Sequence, residues 1–173
     1  MTQKTFIVLG MHRSATSLVG MGLAKSNVHI GETLLAPTEH NPYGHWEDVD
    51  FVRANNEILR AAGGSWDNPP PEEAIIAVGK RNAHQIAKFI MKKSHGKELW
   101  GWKDPRTTLT IRCYLPYLEN PHFIACFREP MEVAKSLQRR EGGEIEKWLE
   151  LAGIYNDRLL EFLGWWTGTK KEE

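Results

Sequence analysis

The chain has 173 residues, 22 Lys and Arg against 22 Asp and Glu, and a sequence pI near 7.1. This length suits one domain with its own core, so we treat residues 1–173 as a single domain. The neutral balance gives no electrostatic drive toward nucleic acid or an anionic membrane surface, and we expect neither as a partner. No apolar stretch is long enough to cross a bilayer and the first residues are unlike a signal peptide, so we expect a cytoplasmic protein. Its two cysteines, Cys113 and Cys126, are expected as reduced core thiols.

Apolar runs bounded by turn residues predict β-strands, and apolar residues at helical spacing predict helices between them. The predicted strands are 4–9, a weak one at 28–30, 98–102 and 122–127. The predicted helices are 16–25, 50–62, 72–93 and 144–163, the last ending at Gly164, with two more beginning near Pro105 and Pro130. This alternation indicates the α/β class, with a central parallel sheet between two helical layers in a P-loop-like α/β/α arrangement.

The most informative segment is the loop after the first strand, residues 10–17, with the sequence GMHRSATS. A strand, a short loop and a helix in this order present backbone N–H groups and a positive helix end to an anion. The loop lacks the second glycine and the lysine of the nucleotide-hydrolase motif G-x-x-x-x-G-K-[ST], and its cation is Arg13. We therefore expect an anion-binding loop of a different kind. The plain alternative is an ordinary turn capped by Ser14 or Thr16.

Polar side chains also follow two later strands of the predicted sheet. Lys103 and Asp104 come directly after LWGW, and Arg128 comes directly after HFIACF, eight residues before Ser136. The carboxyl ends of parallel strands meet at one edge of the sheet, where ligands of such sheets bind. These cations are therefore predicted to converge on a multiply charged anion.

Each cluster has a simpler structural interpretation as well. Asp104 could cap the helix that follows Pro105, with the neighbouring cations solvated. Arg128 could pair with Glu129 or Glu132, and Ser136 could be an ordinary helix residue.

The loop 41–48, NPYGHWED, gathers an imidazole and two carboxylates. These are the residue types that general-base catalysis uses, so His45 and Glu47 are candidate bases. Capping of the next helix by Asp48 or Asp50 explains part of the pattern without chemistry. No spacing of His and Cys matches a known ligand set, and no metal site is expected.

Four segments together resemble the sulfotransferases that use 3′-phosphoadenosine 5′-phosphosulfate (PAPS), the bacterial branch above all. In chain order they are GMHRSATS, NPYGHWED, WKDPR and FREPMEVAKSL. The resemblance covers residues 6–148. It implies transfer of a sulfuryl group from PAPS, as co-substrate and without a metal, to a hydroxyl or amine of a small-molecule, glycan or peptide acceptor.

The resemblance also implies roles for individual residues. The loop that holds the 5′-phosphosulfate is similar to His12, Arg13, Ser14, Ala15, Thr16 and Ser17, and the family usually has glycine in place of Ala15. The pair that holds the 3′-phosphate is similar to Arg128 and Ser136. Lys103 resembles the lysine near the transferred group in tyrosylprotein sulfotransferases, and Arg13 stands in the place of the loop cation. The base is expected among Glu47, His45 and Glu32, in that order.

Two other functions remain open at the level of sequence. One is a nucleotide-triphosphate kinase or hydrolase, and the other is a non-catalytic binder of 3′-phosphoadenosine 5′-phosphate (PAP) or another nucleotide. Tyr43, Trp46 and Trp66 are candidates for lining an acceptor pocket, while the identity of the acceptor and the oligomeric state stay open.

Overall fold

The computed structural model describes residues 2–169 and shows a mixed α/β protein with a three-stranded parallel sheet. The strands are β1 (Lys4–Gly10), β2 (Leu99–Lys103) and β3 (Pro121–Cys126), in the order β2-β1-β3. Phe6 at the centre of β1 pairs with Gly101 on one side and His122 on the other. Because β1 lies between the other two strands and under helices, its apolar run Ile7, Val8 and Leu9 is fully buried.

Seven α-helices accompany the sheet within residues 2–169. They are α1 (Thr16–Lys25), α2 (Val49–Ala61), α3 (Glu72–Arg81), α4 (Ala83–Ser94), α5 (Thr107–Tyr114), α6 (Pro130–Glu141) and α7 (Ile145–Thr169). The first of them follows β1 directly and contacts β1 and β2, whereas α7 packs along α6 and also reaches β1. The helices that follow the three strands therefore all begin at the same edge of the sheet.

Most of the predicted elements are confirmed. The three main strands lie within one residue of their predicted bounds, and the helix predicted at 16–25 is α1. The weak strand at 28–30 is reduced to one bridge, between His29 and Trp100. The helix expected near Pro130 begins at that residue, while the one expected near Pro105 begins two residues later, at Thr107.

Two helix predictions were wrong in extent. The single helix predicted over 72–93 is broken at Asn82, whose backbone lies at φ −105° and ψ 21° and whose side-chain amide donates to the carbonyl of Val78 at 2.9 Å. The helix predicted to stop at Gly164 continues to Thr169. Aromatic packing supports this extension, since Trp166 meets Phe123 edge to face at 5.2 Å between ring centroids.

Cys113 and Cys126 are both free thiols in the structure, with Cys113 buried and Cys126 partly exposed. Burial raises the pKa of the Cys113 thiol to about 11, which keeps it protonated at neutral pH. Of the helices within residues 2–169, none combines the length and the apolar character that a membrane crossing requires.

Candidate anion-binding site

The loop between β1 and α1 has a backbone shape that leaves a helix N-terminus open. Gly10 lies at φ 149°, where a Cβ would stand 2.5 Å from the carbonyl oxygen of Cys126. Arg13 and Ala15 both adopt left-handed backbone angles, φ 67° and 63°. Ala15 is the N-cap position of α1, and no side chain caps the helix there. Capping by Ser14 or Thr16 is therefore not what shapes this loop, and the first-turn N–H groups lie free of a side-chain cap, as anion binding requires.

A threonine from another strand end anchors this loop. The Thr108 hydroxyl accepts from the Gly10 N–H at 2.8 Å and is 3.3 Å from the Gly10 carbonyl oxygen, to which it donates. Thr108 lies in the first turn of α5, directly after β2, and is 4 % exposed. The carboxyl ends of β1 and β2 are thus joined through one buried side chain.

Three of the predicted anion-binding side chains meet at the outer side of the loop. Arg13 Nε donates to Ser136 Oγ at 2.9 Å, and Arg128 donates to the Arg13 carbonyl at 2.9 Å. The simpler pairing of Arg128 with Glu132 is also present, at 3.8 Å between two half-exposed side chains, so it is weak. Partial burial, followed by repulsion from Arg140, Arg128 and Arg139, lowers the pKa of the Arg13 guanidinium. The cations crowd one another here, and an anion would relieve that repulsion.

A second group of charges lies deeper, at the end of β2. Lys103 Nζ donates to Glu47 Oε1 at 2.5 Å, and both residues are at most 4 % exposed. Arg106 pairs with Asp104 at 2.8 Å and approaches Glu47 Oε2 at 3.5 Å. In contrast to the outer cations, these two are neutralised by carboxylates.

A buried polar network fixes Asp104, and through it Arg106. Asn55 of α2 donates to Asp104 Oδ2 at 2.8 Å and to the Thr107 hydroxyl at 3.1 Å. Its own amide oxygen accepts from the Thr110 hydroxyl at 2.7 Å and from the Tyr114 hydroxyl at 2.9 Å. A fully bonded buried amide of this kind is rigid, so the turn after β2 is held in one geometry.

The segment 38–45, which we term the strap, crosses the loop. Its base is a short antiparallel contact of residues 33–35 with 47–49, and Asp48 at that base forms a buried ion pair with Lys93 at 2.9 Å. Asp48 also caps α2, as one of the simpler interpretations expected, by accepting from the N–H of Asp50. This base holds Glu47, the residue before Asp48, beside Lys103.

The strap carbonyls accept hydrogen bonds from the predicted anion-binding residues. The carbonyl of His40 accepts from Arg13 at 3.2 Å. The carbonyl of His45 accepts from Lys103 at 2.9 Å and from Ser17 at 3.2 Å. Oxygen atoms of the chain itself therefore meet donors from the loop and from the end of β2.

A cleft of about 460 Å³ opens beside the loop and the strap. Its polar lining includes His12, Arg13, His45, Glu47, Arg106 and Arg140. The imidazole Nε2 of His12 and the Nε of Arg106 are buried without a hydrogen-bond partner. Unpartnered buried nitrogen atoms are rare in proteins, and two of those seen within residues 2–169 belong to residues that line this cleft.

Only some of the candidate bases and candidate aromatic residues line the cleft. Glu47 and His45 line the cleft, whereas Glu32 points elsewhere: it is 61 % exposed and pairs with Lys97 at 3.1 Å. Partial burial, opposed by the attraction of Glu47, lowers the pKa of His45, which favours the neutral imidazole. Of the aromatic candidates Trp66 lines the cleft, while Tyr43 is 83 % exposed.

Two cations of the cleft were not singled out by the sequence analysis. Arg106 belongs to the WKDPR segment but is not among the predicted site residues, and Arg140 belongs to none of the four segments. A signal for Arg140 exists, because it follows Ser136 by four residues and therefore shares its face of α6.

Comparisons with known proteins add no family assignment. Protein-family models, curated proteins and solved structures were each searched, and none matches the chain.

Proposed function

We propose that this protein is a PAPS-dependent sulfotransferase with a P-loop-like three-layer fold. The observation that carries the proposal is the meeting of Arg13, Arg128 and Ser136 beside an α1 N-terminus that no side chain caps. These residues come from two segments at least 115 positions apart, and each was expected from the sequence to hold part of one two-phosphate donor.

The donor set suits a ligand with two separate anionic groups. The first-turn N–H groups of α1, together with Ser17 and Lys103, would hold the 5′-phosphosulfate. Arg128 and Ser136 would hold the 3′-phosphate. Arg13 belongs to the loop that would hold the 5′-phosphosulfate and is also bonded to Ser136, so it would lie between the two anionic groups of the ligand. The charge of Arg13 is not compensated by a carboxylate within hydrogen-bond distance in residues 2–169, so it is available to a phosphate.

The proposed reaction is an in-line transfer of the sulfuryl group. A bond forms between sulfur and the acceptor oxygen or nitrogen, the bond between sulfur and the 5′-phosphate oxygen breaks, and PAP leaves with the electron pair. Lys103, Arg13 and the loop N–H groups stabilise the negative charge that grows on the leaving phosphate. Positioning and electrostatics thus supply the catalysis, as in phosphoryl transfer.

Glu47 is the proposed base that takes the acceptor proton. Its Oε1 is held by Lys103, whereas its Oε2 has only the long contact of 3.5 Å to Arg106. That second oxygen lies on a carboxylate that lines the cleft, which gives it access to an acceptor. His45, also in the cleft, is the second candidate.

Calorimetry tests the donor site. We expect PAP to bind the full chain at least about tenfold more tightly than ATP–Mg²⁺, a difference of about 1.4 kcal/mol. Equal or tighter binding of ATP–Mg²⁺ would favour the kinase alternative. Transfer of labelled sulfate from PAPS to a panel of hydroxyl and amine acceptors then separates an enzyme from a non-catalytic binder.

The Glu47→Gln variant tests the chemistry. We expect turnover to fall by about 10²–10⁴-fold while PAP still binds, since glutamine keeps the shape of the side chain and an oxygen that can accept from Lys103 but cannot take up a proton. Glu57→Gln, at an exposed position of α2, is the matched control and should keep wild-type turnover. If Glu47→Gln retains turnover and His45→Asn abolishes it, the base is His45.

A further inference from the structure

We propose that the part of the cleft between His12, Arg106 and Arg140 is a subsite for a carboxylate group, so that the acceptor is an anionic compound. This inference rests on the proposed sulfotransferase function and narrows its substrate class. It also moves His12 from the donor site, where the resemblance places it, to the acceptor side.

The first observation is that His12 and Arg13 diverge although they are neighbours. Arg13 reaches outward to Ser136 on α6. The His12 ring instead packs against Trp66, with 4.6 Å between ring centroids, and meets the edge of Tyr155 at 6.4 Å. The left-handed backbone at Arg13 produces this change of direction. His12 therefore forms a wall of the cleft, next to Trp66.

The second observation is the unmet hydrogen-bonding capacity of that wall. His12 is 7 % exposed, and its Nε2 has no partner. Burial, followed by repulsion from Arg106, Arg140 and Lys103, holds the pKa of His12 well below its usual value. The imidazole is thus neutral at pH 7 and can donate one N–H. The Arg106 Nε is a second buried donor that lacks a partner.

The third observation is the placement of Arg140. Its guanidinium lies 5.8 Å from the centre of the Trp66 ring, which also carries His12 on its surface. The Nε of Arg140 pairs with Glu141 at 2.5 Å. Within residues 2–169 no partner is seen for its two terminal nitrogens, which form the fork that carboxylates bind.

These groups together select a carboxylate. A carboxylate can accept from the fork of Arg140, from Arg106 Nε and from His12 in charge-assisted or strong hydrogen bonds, whereas a neutral hydroxyl or amide accepts more weakly from the same donors. Glu47 lies in the same cleft, so a carboxylate held here would keep the rest of the acceptor beside the proposed base.

Two probes that differ only in charge test the subsite. The full chain, saturated with PAP, is titrated calorimetrically with 4-hydroxybenzoate and with its neutral counterpart 4-hydroxybenzamide. We expect the benzoate to bind at least about tenfold more tightly, as a charge-assisted pair requires. Arg140→Gln should remove this preference, and it should weaken the benzoate by a clearly larger factor than it weakens PAP. Arg139→Gln, the exposed neighbour on α6, should retain the preference.

The outcomes separate the two proposals. If the amide binds as well as the benzoate, or if Arg140→Gln weakens PAP as much as the benzoate, the carboxylate subsite is refuted while the donor site stands. If PAP does not bind at all, the sulfotransferase proposal fails. The same titration without PAP then decides the subsite by itself, since a tenfold charge preference lost in Arg140→Gln supports it and equal binding of the probes refutes it.

Discussion

Two groups of cations lie at the carboxyl edge of the same sheet, and they are treated differently by the fold. The outer group, Arg13 and Arg128, donates mainly to a hydroxyl and to carbonyl oxygens. The inner group, Lys103 and Arg106, is paired with buried carboxylates. Basic residues at equivalent strand ends therefore differ in how much of their positive charge is compensated by carboxylates of the chain.

The two groups are suited to different roles in the proposed site. A cation whose partners are neutral retains its charge for a ligand, at the cost of repelling its neighbours; partial burial first, and then this repulsion, lower the pKa of Arg13. A cation that is paired with a carboxylate keeps only part of its charge for a ligand, and it fixes that carboxylate in place. The outer group therefore suits recognition of an anion, and the inner group suits the positioning of Glu47.

Removal of Lys103 should produce the largest effect, because it acts on the inner group. Lys103→Ala leaves Glu47 buried without its closest partner, and we expect a loss of about 3–5 kcal/mol in the free energy of unfolding. The double variant Lys103→Met with Glu47→Gln removes both charges and should recover most of this loss. Urea unfolding measures both changes. A loss below about 1 kcal/mol in Lys103→Ala would contradict the claim that the inner cations, unlike the outer ones, are tied to buried carboxylates.

Removal of an outer cation should affect ligand affinity instead of stability. For Arg13→Gln we expect PAP affinity to fall by about ten- to a hundredfold, the equivalent of one charge-assisted hydrogen bond lost. Its free energy of unfolding should change by less than about 1 kcal/mol, because its partners are neutral and Arg13 itself is only partly buried. Calorimetry and urea unfolding of the same sample give both values. A stability loss equal to that of Lys103→Ala would abolish the distinction.

The smallest effect concerns the backbone that presents the outer group. Ala15 occupies a left-handed conformation that costs an L-residue about 1–2 kcal/mol. Ala15→Gly should therefore raise the free energy of unfolding, by about 1 kcal/mol at most once the entropy of glycine is deducted. Urea unfolding tests this. Ala24→Gly in the last turn of α1 is the control, and it should lower stability instead, by about 0.5–1 kcal/mol.

The sequence was informative where one local pattern decides the outcome. Strand β1 and helix α1 follow from an apolar run and its turn residues, and the edge of the sheet that collects Arg13, Lys103 and Arg128 follows from parallel topology. Outcomes that depend on distant contacts were missed. The break at Asn82 and the continuation past Gly164 depend on side-chain bonding and aromatic packing, which periodicity does not report.

The edge of the sheet where the predicted residues lie could be inferred from the sequence, but their partners could not. Parallel strand ends predicted that Arg13, Lys103 and Arg128 converge, and Arg128 donates to the Arg13 carbonyl. The pairing of Lys103 with Glu47 joins residues 56 positions apart, and no local signal encodes it. The same holds for the turn of His12 toward Trp66, because it depends on the left-handed angle at Arg13.

Carbonyl groups of the strap already accept hydrogen bonds from donors of the proposed anion site. The carbonyls of His40 and His45 accept from Arg13, Ser17 and Lys103. An anion that reaches these three donors takes the place of neutral oxygen atoms of the chain. Anion binding therefore exchanges one set of hydrogen-bond acceptors for another. The gain in binding free energy is the difference between a charged and a neutral acceptor, less the free energy needed to move the strap.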